Sequence, residues 1–121
     1  MAKRTAIMQL SLSVRIAEEF HSKEEASMPL GDLARLAKCC GYGALCMRAS
    51  QVGVQSSPEA VEAVADCLAE AGLAVSMVTG DFDTVYNNDN GPRALKNITP
   101  YLDLAKRLGA PRIRVALKRE L

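Results

Sequence analysis

The chain has 121 residues, of which 49% are apolar, 24% charged and only 4% aromatic, enough for one domain with a core of Leu, Val, Ala, Ile and Met. Fifteen Lys and Arg against 14 Asp and Glu leave a net charge of +1, which argues against a general nucleic-acid binder, because such a protein carries a basic excess on one face. The scarcity of rings excludes a platform of several stacked aromatics. No apolar run approaches the roughly 18 residues of a membrane span.

The first strand candidate, β1, covers residues 10–16, where Leu10, Leu12 and Val14 alternate with Ser11, Ser13 and Arg15. The same polar residues, with Gln9, interrupt any apolar signal region behind the basic start, so the expected location is the cytoplasm. The loop after β1, Ala17-Glu18-Glu19-Phe20-His21-Ser22-Lys23, contains no glycine-rich phosphate cradle.

A first helix, α1, is expected over residues 30–40, with Leu30, Leu33, Ala34, Ala37 and Cys40 at steps of three and four, Pro29 and Asp32 at its start and Gly41 at its end. Strand β2 follows at residues 44–48. A second helix, α2, is announced by Ser57-Pro58-Glu59, which offers an N-cap, a proline in the first turn and an early acid. Its stripe is Val61, Val64, Ala65, Leu68 and Ala71, and Gly72 ends it. Strand β3 is expected at residues 74–78.

Asn87-Asn88-Asp89-Asn90-Gly91 reads as a turn-rich loop that could act as a lid, without the spacing of a calcium loop. A third helix, α3, carries Ile98, Tyr101, Leu102, Ala105 and Leu108 before Gly109. Gly91-Pro92 could open it, and Pro100 is expected to kink or split it. Strand β4 is expected at residues 112–117. The four cysteines, Cys39, Cys40, Cys46 and Cys67, are expected as buried, reduced thiols, because nothing else looks secreted and their spacing lacks the partner motifs of a metal site.

The order β1-α1-β2-α2-β3-α3-β4 makes this an α/β chain of parallel strands joined by right-handed crossovers. Two architectures fit: an open doubly wound sheet, or the first half of a (β/α)₈ barrel, which needs roughly 250 residues in full. The missing glycine-rich loop after β1, and the lack of a helix after β4, favour the barrel. The expected unit is therefore residues 1–121, the N-terminal half of a barrel that stops after β4.

Three helix-Gly-strand phrases carry a family resemblance. They are Leu36-Ala37-Lys38-Cys39-Cys40-Gly41-Tyr42-Gly43-Ala44-Leu45-Cys46-Met47-Arg48, Leu68-Ala69-Glu70-Ala71-Gly72-Leu73-Ala74-Val75-Ser76, and Tyr101-Leu102-Asp103-Leu104-Ala105-Lys106-Arg107-Leu108-Gly109-Ala110-Pro111-Arg112-Ile113-Arg114-Val115. In register, they resemble the first three α-β steps of the xylose-isomerase-like TIM barrels. The resemblance implies a sugar or sugar-phosphate isomerase or epimerase that moves a proton between neighbouring carbons through an enediol. It also implies a divalent metal that polarises the adjacent oxygens, and a small sugar or sugar phosphate as partner. In that family the metal-binding and proton-transferring residues come mainly from strands five to eight. No metal ligand or catalytic residue is therefore assigned in this chain, and the chain alone is expected to be inactive.

Barrel sites lie at the C-terminal ends of strands. That rule selects Glu18, Glu19 and His21 after β1, Arg48, Ser50 and Gln51 after β2, Thr79, Asp81 and Asp83 after β3, and Lys118 and Arg119 after β4. The substrate-binding candidates are Arg48, Gln51, Asp81, Glu18 and Lys118. Arg48 could pin an anionic or hydroxyl-rich substrate with its fork of donors, or close a salt bridge in the mouth. Gln51 could bond a sugar hydroxyl or stand as a solvated loop amide. Asp81 and Asp83 could pair as carboxylates or simply favour a turn, and His21 reads as a solvated loop histidine.

Three functions stay open. One is the isomerase or epimerase just described. Another is a non-catalytic half-barrel that pairs with itself or a partner through exposed sheet edges and an apolar inner face. The last is a small doubly wound ligand-binding domain.

Overall fold

The computed structural model describes residues 9–22, 25–79 and 91–114, with side chains in the last helix described from Ile98 onward. Four strands, β1 (Ser11–Ser13), β2 (Ala44–Met47), β3 (Ala74–Thr79) and β4 (Ile113–Arg114), are joined by helices α1 (Leu30–Cys39), α2 (Pro58–Ala71) and α3 (Gly91–Leu108). All three strand pairings are parallel, and the order across the sheet is β1-β2-β3-β4. A doubly wound sheet turns back at a switch point. Here each strand lies beside its sequence neighbour, which is the arrangement of the first half of a (β/α)₈ barrel.

The core lies on one face of the sheet. Leu45, Met47, Val75 and Val78 from the strands form one buried cluster with Leu33 and Ala37 of α1, Val61 and Leu68 of α2, and Leu104 and Leu108 of α3. The opposite face mixes polar and apolar side chains: by register it carries Ser11, Ser13, Ala44, Cys46, Ala74 and Met77, with Ser76 at the bulge. The Ser11 and Ser76 hydroxyls share a 2.6 Å hydrogen bond across β2, over the small side chain of Ala44. A bulge between β2 and β3 inserts Ser76 as an extra residue opposite the Leu45–Cys46 step.

The helix ends follow the sequence signals. Ser57 Oγ accepts from the Ala60 amide at 3.1 Å, a cap worth about 1 kcal/mol. Gly41, Gly72 and Gly109 all take positive φ just past their helices, where a Cβ would be strained. Helix α1 starts differently from α2: Pro29 is its cap residue, with no side-chain cap bond, and Asp32 pairs with Arg35 in the first turn.

Three expectations are corrected, and a fourth lies partly outside the described residues. Strand β1 is not 10–16; Ser13 Oγ accepts from the Arg15 amide, and Val14–Ala17 wind into a 3₁₀ turn that buries Val14 and Ala17 and exposes Ile16. Helix α3 runs unbroken through Pro100. The lost backbone bond, at an exposed position, is offset by burial of Leu104, Ala105 and Leu108. The cysteines are all free, but Cys39 and Cys40 are exposed and Cys46 and Cys67 only partly buried. The buried stripe of α1 ends at Ala37, and the helix stops before the next turn can carry Cys40 inward. Finally, β4 is described only as Ile113–Arg114; residues 115–117 lie outside the described residues, as do 87–90 of the turn-rich segment. Among the described residues, no helix is long and apolar enough to cross a membrane.

Candidate functional site

The 3₁₀ turn delivers Glu18 to the C-terminal end of the sheet, where β2 ends and Arg48 begins the next loop. Arg48 Nε donates to Glu18 Oε2 at 2.6 Å, and Ser50 Oγ donates to the same oxygen at 3.0 Å. The Glu18 side chain is 6% exposed and that of Arg48 15%. This is a largely desolvated, charge-assisted contact, much stronger than a surface ion pair.

The loop after β1 folds back on itself. The Glu19 amide donates to the Glu25 carbonyl and the Ser27 amide to the Ala17 carbonyl, while Glu18 and Ala26 form an antiparallel bridge. Gln51 is not the solvated amide expected from sequence. It is partly buried, and its Nε2 donates to the Met28 carbonyl at 3.0 Å, tying the β2–α2 loop to the chain entering α1. Glu18 and Gln51 thus join the two loops at two separate points.

A cavity of about 400 Å³ opens at this mouth, lined by Arg15, Glu18 and Glu19, the loop residues Phe20 to Ser22, and Arg48. Two guanidinium groups face two carboxylates there, and one carboxylate is already engaged by Arg48. His21 stands 73% exposed, its Nε2 3.2 Å from Glu25 Oε2, in keeping with a solvated loop position. Deeper in, burial pushes the Cys46 thiol above its ordinary pKa, while the positive charges of Arg48 and Arg114 pull it back. Cys46 is therefore a protonated, weakly nucleophilic thiol at neutral pH.

Of the five substrate-binding candidates, the structure brings Glu18 and Arg48 together at the cavity, while the Gln51 side chain is engaged by the Met28 carbonyl. Asp81 and Lys118 lie outside the described residues, as do Asp83 and Arg119. Thr79 is buried, its hydroxyl directed onto the Met47 carbonyl at 3.5 Å. Sequence reasoning missed Arg15 as a lining residue, because strand alternation gave no sign that a 3₁₀ turn would swing it into the mouth.

The described residues of the mouth do not fit the divalent metal that the family resemblance implies. The buried carboxylate, Glu18, has its Oε2 committed to Arg48 and Ser50, and among the described residues no three His, Cys, Asp or Glu side chains converge.

No family model and no curated protein sequence matches the chain. Solved structures do match by fold. A xylose isomerase-like TIM barrel protein from Mycobacterium smegmatis, crystallised with magnesium, is 21% identical with a TM-score of 0.52, over 69% of this chain and 28% of that one. The 3-keto-D-glucoside 4-epimerase YcjR of E. coli is 18% identical with a TM-score of 0.59, over 88% of this chain and 37% of that one. The probable 3-DHS dehydratase AsbF of Bacillus anthracis, involved in petrobactin synthesis, is 18% identical with a TM-score of 0.61, over the same shares. At these identities the likeness establishes the fold alone, a partial TIM barrel of parallel β/α units. The chain spans only 28–37% of the length of these proteins.

Proposed function

We propose that this chain provides the N-terminal part of a sugar isomerase- or epimerase-like barrel, and that its mouth binds a sugar or sugar phosphate. The observation that carries this reading is the Arg48 guanidinium, fixed by Glu18 and Ser50 on the wall of the cavity where barrel sites lie. A guanidinium with its Nε anchored keeps its terminal N–H groups in a set plane, suited to hydroxyl, carboxylate or phosphate oxygens. Arg15 adds a second cation to the same cavity.

The residues described here bind and orient. The proton-transferring carboxylates and metal ligands that the resemblance assigns to strands five to eight are not among them, and the reading for these residues is binding without turnover. Four free cysteines support a reducing, cytoplasmic location.

The test is ligand binding by saturation-transfer NMR across a panel of ketoses and sugar phosphates. Binding is expected, weakened about tenfold or more in Arg48→Lys, a loss of about 1.4 kcal/mol, and less in Arg15→Ala. Binding unchanged in both variants would place the ligand elsewhere. Chelator-sensitive conversion of a ketose by this chain alone would overturn the binding-only role.

A second reading, a half-barrel that pairs, is favoured by the flanks of the outer helices. On α1, Lys38 Nζ donates to the Gly72 carbonyl at the end of α2, so Leu36, two residues earlier, projects from the opposite flank and is 44% exposed. Leu102 of α3 is 51% exposed. Further β/α units beside α1 and α3 are the natural cover for such side chains. Sedimentation velocity at micromolar concentration should then show a dimer that Leu36→Lys/Leu102→Lys dissociates; a monomeric parent chain rules the pairing out.

A further inference from the structure

We propose that Cys39 and Cys40 form a surface dithiol that captures trivalent arsenicals. The two residues are adjacent at the C-terminal end of α1, both free and both exposed. Cys39 is the last helical residue. Cys40 is the cap residue, at φ −88° and ψ 2°, and its amide donates to the Leu36 carbonyl at 3.0 Å and the Ala37 carbonyl at 3.2 Å. The backbone beneath the pair is therefore fixed, and only the two cysteine side chains need to order for both thiols to reach one ligand. The surface beyond is open: a Cβ built on the next residue, Gly41, would meet nothing within 4 Å.

Adjacent residues have Cα atoms about 3.8 Å apart across a trans peptide, and no cis peptide occurs among the described residues. A relaxed disulfide needs about 4.4 Å or more. Side chains on successive helical residues diverge by about 100°, so an atom bonded to both sulfurs must span more than a disulfide does, which favours a larger atom than sulfur. The donor set also selects the guest. Zinc requires three or four ligands in a tetrahedron, and no third His, Cys, Asp or Glu converges here among the described residues. A soft centre satisfied by two sulfurs is the chemistry that fits.

With an aryl arsenoxide, R–As=O, the step is a condensation. Two S–H bonds and the As=O bond break, and two As–S bonds form. The oxygen leaves as water with both thiol protons, and arsenic stays trivalent. The site lies on α1 and does not depend on the sugar-binding reading.

The probe is phenylarsine oxide added to the native 121-residue chain, read by intact mass. The expected product is one adduct per chain, gaining one phenylarsine oxide less one water. It should be reversed by 2,3-dimercaptopropanol and not by an equal concentration of a monothiol. Cys39→Ser and Cys40→Ser should each weaken capture about a hundredfold, the loss expected when bidentate attachment becomes single-point. Cys46→Ser and Cys67→Ser should capture as the parent does. No adduct on the native chain, an adduct that survives Cys39→Ser undiminished, or one that needs Cys46 or Cys67 would overturn the proposal. Circular dichroism of each variant confirms that capture is compared between folded chains.

Discussion

Replacing Glu18 by Ala is expected to cost about 2–4 kcal/mol of folding stability, read as a lowered urea midpoint at unchanged m value. The loss does not measure what the Glu18–Arg48 pair contributes. It is the cost of leaving a guanidinium that is only 15% exposed without its carboxylate, and a Ser50 hydroxyl without its acceptor. The double variant Glu18→Gln/Arg48→Met separates the two quantities. It removes both charges and keeps most of the volume, so it should recover more than half of the single-variant loss. If Glu18→Ala costs less than about 0.5 kcal/mol, the contact behaves as an ordinary exposed ion pair and the mouth is not preorganised. The same single variant frees the Arg48 guanidinium, so ligand affinity should fall with it. A binding defect in Glu18→Ala alongside normal binding in Arg15→Ala would identify Glu18 as a positioning residue for Arg48.

Leu45→Ala is expected to destabilise the chain by about 3 kcal/mol, within the usual range of about 2–5 for a buried leucine, and to lower Tm by roughly 10 °C. Leu45 is fully buried in β2, between Leu12 of β1 and Val75 of β3 in the register, and beneath the helices. Strands on both sides and helices above leave little room to collapse into the space. The exposed Leu36→Ala, with the same chemistry, should change stability by under about 0.5 kcal/mol. Similar losses at the two positions would mean that α1 does not sit on the sheet as described.

Much of the architecture was legible because helices and strands announce themselves locally. The stripe of α2, its Ser57 cap and its Gly72 stop each follow from spacing and backbone sterics within one segment, and the structure places them as read. The parallel pairing was readable too, since helices between strands enforce parallel crossovers, whereas the sequential order β1-β2-β3-β4 is seen in the sheet itself. What failed had two sources. Ser13 ends β1 after three residues by a local bond, its hydroxyl taking the Arg15 amide, which the apolar alternation masks. Nothing local to Cys40 shows that α1 stops before its stripe is covered. The serine pair on the inner face is a property of register: Ser11 and Ser76 lie 65 positions apart and meet only because β1, β2 and β3 align with one bulge.

The candidate site divides along the same line. The sequence by itself determined which residues follow each strand, because the period of the pattern fixes the stops of β2 and β3 to within one residue, although β1 stops three residues early. From that alone Glu18, Arg48 and Gln51 could be named. Only the tertiary structure decided what they do there. Whether Arg48 meets Glu18, and whether Gln51 faces water or the Met28 carbonyl, depends on how two loops separated by a whole helix pack together. Those contacts are set by desolvation and hydrogen-bond geometry between distant segments, and no local pattern encodes them.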